Sequence, residues 1–87
     1  MNIKILGPGC FRCQQLGKTT REVVKELGID ASIEEVKDIN EIIAYRILYT
    51  PGLVLNGQLV CSGQVPTKAE LCTFITTALE KEGKSTN

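Results

Sequence analysis

The chain has 87 residues, of which 43% are hydrophobic and 23% charged, values typical of one small globular domain. Ten basic residues balance ten acidic ones, so no charge excess favours nucleic acid or an anionic membrane as a partner. No apolar run suits a signal peptide or a membrane span, and we therefore expect a cytoplasmic protein. The absence of histidine excludes a histidine base, a Cys/His nucleophile and a Cys₂His₂ zinc site.

A C-x-x-C motif lies between the first two predicted elements. Residues 2–6 are predicted to form a strand, and Gly-Pro-Gly ends it before a helix from about Arg12 to Leu27, with Gly28 as its C-cap. Cys10 and Cys13 can therefore form a small disulfide or bind one metal ion. The positive end of the helix dipole favours the thiolate of Cys10, while Cys13 lies on the apolar stripe of the helix. We expect an exposed attacking thiol and a half-buried resolving thiol.

The middle of the chain predicts an edge strand and a second helix. Ala31–Val36 is the strand, placed at an edge because two glutamates interrupt its apolar alternation. Asp38 is the predicted N-cap of a helix whose isoleucine stripe continues to Ile47. That helix must end before Thr50, because a residue that precedes proline disfavours the α-helical region.

The C-terminal part predicts a hairpin. Asn56-Gly57 is a strong type I′ turn signal between strands at 52–56 and 58–61. A regular hairpin with this turn places Leu53 opposite Val60, and Gly52 opposite Cys61.

The last predicted helix begins with a Thr67-x-x-Glu70 capping box, and its apolar stripe ends at Leu79. We predict a domain of residues 1–81 and a frayed tail of residues 82–87. The element order is β-α-β-α-β-β-α, which predicts an α/β fold with a four-stranded mixed sheet and helices on both faces.

This pattern resembles the thioredoxin/glutaredoxin-like superfamily, specifically its minimal small redox-active disulfide proteins. The resemblance covers roughly residues 2–80 and rests on Gly-x-Gly-Cys-x-x-Cys after the first strand and Thr50-Pro51 before the third. It implies a thioredoxin-like fold, a cis Thr50–Pro51 bond beside the motif and an open surface at Gly63. The carboxylate that thioredoxins place six residues ahead of the first cysteine is replaced by Lys4.

The resemblance implies a protein thiol-disulfide oxidoreductase. Cys10 would attack a target disulfide and Cys13 would resolve the mixed disulfide, so that the Cys10–Cys13 disulfide stands in place of any cofactor. The substrate-binding residues that it implies are Phe11, Arg12, Thr50, Pro51 and Gly63. Arg12 either adds positive charge beside the thiols or is simply solvated. The expected partners are protein disulfides and a thioredoxin-reductase-type electron donor, and the protein is expected to act as a monomer.

An alternative reading is a soft-metal-binding module or metallochaperone that uses the same C-x-x-C. Heavy-metal-associated domains also place this motif between a first strand and a first helix, but their element order is β-α-β-β-α-β. For the two further cysteines, Cys72 is predicted to be an inert apolar side chain. Cys61 is either a third exchanging thiol or a buried cysteine that fills space near the end of the sheet.

Overall fold

The computed structural model describes residues 1–9, 11–47 and 49–85 of the chain. The strands are β1 (Asn2–Leu6), β2 (Ser32–Val36), β3 (Gly52–Leu55) and β4 (Gln58–Ser62), and the helices are α1 (Phe11–Leu27), α2 (Ile39–Ala44) and α3 (Lys68–Ser85). The strands form one sheet in the order β2-β1-β3-β4, with β1 parallel to β2 and antiparallel to β3. This architecture confirms the predicted thioredoxin-like α/β fold, including the edge position of β2.

Each face of the sheet carries its own apolar cluster. The larger cluster joins α1 and α3 to β1 and β3, and its buried members are Ile3, Ile5, Leu16, Val23, Leu53, Leu55, Leu71 and Ile75. The smaller cluster lies on the face that α2 covers, and its buried members are Leu6, Val36, Ile42 and Val54. Since β3 contributes to both clusters, its consecutive apolar residues are explained by burial on both faces.

The second helix is shorter than its isoleucine stripe predicts. Asp38 is the N-cap and accepts a hydrogen bond from the Asn40 N–H at 2.9 Å, but the helix ends at Ala44. Arg46 then adopts a left-handed backbone conformation with φ of 59°. Ile47 still packs against the smaller cluster from outside the helix, so the apolar spacing indicated burial correctly and helix length wrongly.

The hairpin confirms its predicted turn but not its full register. Asn56 and Gly57 have φ values of 51° and 84°, which a type I′ turn requires. Beyond Val54 the register shifts, so that Leu53 pairs with Cys61 and Gly52 with Ser62. The predicted pairing of Gly52 with Cys61 is therefore wrong, because a β-bulge inserts an extra residue into β4.

The bulge determines the face of the sheet on which the Cys61 side chain lies. Val60 and Cys61, although consecutive, both pack against the larger cluster, whereas Leu59 packs against the smaller one. In a regular strand, alternation would place Cys61 on the α2 side.

The third helix continues further than its apolar stripe. Its backbone is helical to Ser85, where the sequence predicted a frayed tail from residue 82; Thr86 and Asn87 lie outside the described residues. The predicted boundary at residue 81 stays a prediction. Among the helices of the described ranges, none is both long and apolar enough to span a membrane.

The observed element order differs from that of the metal-binding alternative. A β-α-β-β-α-β domain needs a strand after its last helix, whereas here the chain passes from β4 into the long helix α3.

The capping box of α3 provides a test of the fold. The Glu70 N–H donates to Thr67 Oγ1 at 3.2 Å, and the Thr67 N–H donates to Glu70 Oε1 at 3.0 Å. Thr67→Ala removes one of these acceptors and should lower the free energy of unfolding by about 1 kcal/mol in urea denaturation. Thr76→Ala, at an exposed position within the same helix, is the control and should cause no loss; equal losses would contradict a capping role.

Candidate active site

The loop between β1 and α1 is fixed at several points. The Gly7 N–H donates to the Val36 carbonyl oxygen at 2.9 Å, which ties the loop to the end of β2. Gly9 has a φ of 92°, and its carbonyl oxygen accepts a hydrogen bond from Gln14 Nε2 at 3.2 Å. Helix α1 then begins at Phe11. Cys10, the predicted attacking residue, lies outside the described residues, and its predicted role is not tested by the geometry.

The Cys13 thiol is buried against the backbone of Gly7. The Cys13 side chain is only 4% exposed. A methyl group at Gly7 would overlap Cys13 Sγ and lie 3.3 Å from Cys13 Cβ. Because only glycine leaves this space, Gly7 provides the site that the thiol occupies. The sequence predicted a half-buried Cys13 and treated Gly7 only as a strand breaker.

The Thr50–Pro51 segment meets the same loop. A methyl group at Gly7 would also lie 3.8 Å from Thr50 Cβ, so this single glycine borders both Cys13 and Thr50. The Thr50–Pro51 peptide bond is cis, which is the isomer that the resemblance implies. Pro51 is fully buried, and its carbonyl oxygen accepts the Gly63 N–H at 2.9 Å.

Gly63 completes a ring of contacts that includes Cys13. Its carbonyl oxygen accepts a hydrogen bond from Arg12 Nη2 at 3.4 Å, across 51 positions of sequence. Its φ is 75°, and a side chain there would come within 3.0 Å of Tyr49 Cβ. The contacts thus run from Arg12 to Gly63, to Pro51, and through Thr50 and Gly7 back to Cys13.

Two large aromatic side chains remain at the surface of this region. Phe11 is 78% exposed and Tyr49 is 72% exposed. Phe11 was predicted to bind substrate, and no role was predicted for Tyr49. The one sequence signal for Tyr49 is its position directly before Thr50-Pro51.

The structure brings together five of the predicted site residues. Cys13, Thr50, Pro51, Gly63 and Arg12 are linked by the contacts above. Phe11 begins the helix that carries two of them and faces solvent. Their roles in catalysis and substrate binding stay predictions.

Cys61 lies near the ring, with its thiol turned toward the protein. Its Sγ donates to the Gln64 carbonyl oxygen at 3.8 Å, and the residue packs against the larger apolar cluster. Burial and, second, the nearby Glu70 carboxylate raise the pKa of the Cys61 thiol above its ordinary value. Cys72 is half-buried on α3 and packs against the same cluster.

The described residues contain no group of three or more His, Cys, Asp or Glu side chains suited to a metal ion. Cys10 lies outside these residues, and metal binding by the C-x-x-C pair stays a hypothesis.

Comparison with known proteins assigns the family. A family model described as a thioredoxin domain matches residues 1–76. A thioredoxin from Methanothermobacter thermautotrophicus is 45% identical over 71 residues, which cover 82% of this chain and 92% of the relative. A thioredoxin from Methanocaldococcus jannaschii is 38% identical over 78 residues, or 90% of each chain. These similarities, with the observed fold, define a thioredoxin-like redox protein. The chain belongs to the thioredoxin family.

The space at Gly7 gives the first prediction from the site. Gly7→Ala forces a methyl group against Cys13 Sγ, and it should lower the free energy of unfolding of the reduced protein by about 1–3 kcal/mol, as overpacking does. Gly17→Ala is the matched control at a second buried glycine. There the tightest neighbour is the flexible Arg21 side chain at 3.3 Å, and alanine improves helix propensity. Urea denaturation should show a loss only for Gly7→Ala; equal effects would contradict the proposed space.

The environment of Cys61 gives the second prediction. In a Cys10→Ser, Cys13→Ser, Cys72→Ala background, alkylation of Cys61 by iodoacetamide should rise with pH only above the ordinary thiol range, because the raised pKa keeps the thiol protonated. Glu70→Gln removes the second cause, and the midpoint of the pH profile should move to lower pH.

Glutamine still accepts the hydrogen bond of the capping box, so the helix start is preserved in this variant. Glu80→Gln, on the same helix but about 15 Å further along it, is the charge-matched control and should leave the midpoint unchanged. If Glu70→Gln leaves the midpoint of the pH profile unchanged, the Glu70 carboxylate does not contribute to the raised pKa of Cys61.

Proposed function

We propose that the protein is a thiol-disulfide oxidoreductase that reduces protein disulfides by dithiol exchange through Cys10 and Cys13. The observation that carries the proposal is the buried Cys13 thiol, which lies against Gly7 on the side of that glycine where Thr50 also lies. A resolving thiol needs protection from solvent and a fixed position beside the attacking residue. The 4% exposure of Cys13 supports the first requirement, and its close fit against Gly7 supports a fixed position for its sulfur.

The helix start supports the division of labour between the two thiols. Cys10 directly precedes Phe11, the first residue of α1. The N–H groups of a first helical turn have no intrahelical partners, and their partial positive charge favours a thiolate. The first turn of α1 contains no acidic side chain, so no carboxylate within it opposes this effect. We therefore assign the attack to Cys10 and the resolution to Cys13.

The proposed exchange transfers two electrons in two steps. The Cys10 thiolate attacks one sulfur of the target disulfide; the target S–S bond breaks, a mixed disulfide forms, and the first target sulfur leaves as a thiolate that takes a proton from solvent. Cys13 then gives up its proton and attacks the Cys10 sulfur. The mixed disulfide breaks, the second target thiolate leaves, and the Cys10–Cys13 disulfide forms. A donor of the thioredoxin-reductase type would return the two electrons.

Single-cysteine variants test the function. Reduced protein should reduce a protein disulfide such as that of insulin, and Cys10→Ser should abolish the reaction because the attacking sulfur is lost. Cys13→Ser should still attack but accumulate mixed disulfides, which mass spectrometry of the non-reduced sample detects. Cys72→Ala, at a half-buried position on α3, is the control and should keep full activity.

The same variants separate redox exchange from the metal-binding alternative. Zinc titration of the reduced protein, read by competition with a chromogenic chelator, measures the alternative directly. Tight binding that Cys10→Ser and Cys13→Ser both remove, together with no disulfide reduction by the wild type, would overturn the proposed function.

A further inference from the structure

The Arg12 side chain is held in a defined position at the edge of the site. It lies between Phe11 and Cys13 at the start of α1, yet its Nη2 reaches the Gly63 carbonyl oxygen at 3.4 Å. Gly63 is in turn held by the hydrogen bond that its N–H donates to the Pro51 carbonyl oxygen at 2.9 Å. The guanidinium is therefore located over the junction between the helix start and the loop after β4.

The guanidinium can bind a further acceptor in that position. Arg12 is exposed, and a guanidinium has five N–H donors, of which the bond to Gly63 uses one. Among the described residues no carboxylate forms an ion pair with Arg12; the ion pair that the structure contains joins Lys68 to Glu26. Arginine is suited to carboxylates because its planar fork donates two parallel hydrogen bonds.

The start of α1 around Arg12 lacks acidic side chains in the sequence of its first turn. A shallow groove on α1, the helix that carries Arg12, is lined by Phe11, Gln14, Gln15 and Lys18, which supply one cation, two amides and an aromatic ring. Glu70, the carboxylate near Cys61, is engaged by the Thr67 N–H at the start of α3. A target segment that reaches Cys10 therefore meets a cation two residues further along this chain.

We infer that Arg12 is a specificity-determining residue that favours disulfide substrates with a carboxylate side chain next to the reacting cysteine. The inference rests on the proposed function and adds the chemical class of the preferred target. The carboxylate would bind the free edge of the guanidinium, while Gly63 holds the opposite side. Since the pair is exposed, the expected preference is modest, roughly two- to fivefold in rate.

Peptide disulfides that differ at one position provide the test. Three short peptides, each closed by a disulfide between two cysteines, carry Glu, Gln or Lys directly after both cysteines. The second-order rate constant for reduction by the reduced protein in a single turnover is measured for each peptide. The wild type should reduce the Glu peptide roughly two to five times faster than the Gln peptide, and the Lys peptide more slowly than either.

Variants at position 12 identify the residue responsible. The Glu/Gln rate ratio should fall to about 1 in Arg12→Gln and should invert in Arg12→Glu, where the Lys peptide becomes the fastest. A ratio between peptides cancels any change that the substitution makes to the reactivity of the thiols themselves. Arg12→Lys should keep part of the preference, because it retains the charge and loses the planar fork.

The control removes an equal charge elsewhere. Lys25→Gln, exposed in the last turn of α1 and about 20 Å from Arg12 along the helix, should leave the ratio unchanged. A wild-type ratio of about 1, or a preference that survives both Arg12→Gln and Arg12→Glu, would overturn the inference while leaving the proposed function intact. If the wild type reduces insulin but none of the three peptides, this inference alone is overturned; if it reduces neither insulin nor the peptides, the proposed function is overturned with it.

Discussion

The missing side chain at Gly7 is the constraint on which the site depends. Cys13 can be buried at the start of α1 only because its sulfur fits against a residue with no Cβ. The Gly7 N–H donates a hydrogen bond to the Val36 carbonyl oxygen, which fixes the position of Gly7 relative to the end of β2. The first strand, the edge strand and the first helix therefore converge on one thiol, and a larger residue at position 7 would displace whichever of them is least firmly packed.

The other residues of the site come from segments that are distant from Gly7 in sequence. Thr50 and Cys13 both border Gly7. The Pro51 carbonyl oxygen accepts a hydrogen bond from the N–H of Gly63, which follows β4. Arg12 then returns from the motif to the Gly63 carbonyl oxygen. This series of contacts connects β4 and its following loop to the helix start through hydrogen bonds, in addition to the packing of Val60 and Cys61 against the larger apolar cluster. The β4 bulge is part of the same arrangement, because it sets the register of the residues that lead to Gly63.

The sequence predicted those features that depend on local chemistry. Asp38, the Thr67–Glu70 box and Asn56-Gly57 act through their own side chains and backbone preferences, and all three form the predicted caps or turn. Features that depend on how distant segments fit were not predictable in this way. The bulge beyond Val54, the early end of α2 and the contact between Gly7 and Cys13 arise from tertiary packing, which leaves no local signature. In the sequence alone, Gly7 cannot be distinguished from a glycine that only ends a strand.

The environments of the cysteines, rather than their number, limit which of them can exchange with a disulfide. Cys61 lies two residues before Gly63, close to the ring, and proximity alone would allow it to compete with the motif. Its thiol donates a hydrogen bond to the Gln64 carbonyl oxygen, and burial and the Glu70 carboxylate raise the pKa of the thiol. Because the thiolate is the nucleophile, a raised pKa slows attack at neutral pH. The helix start has the opposite electrostatic character, with the positive end of the helix dipole, Arg12 and no carboxylate in its first turn. This contrast favours the interpretation of Cys61 as a half-buried side chain that fills space near the end of the sheet, since a third thiol would have to react from the protonated form.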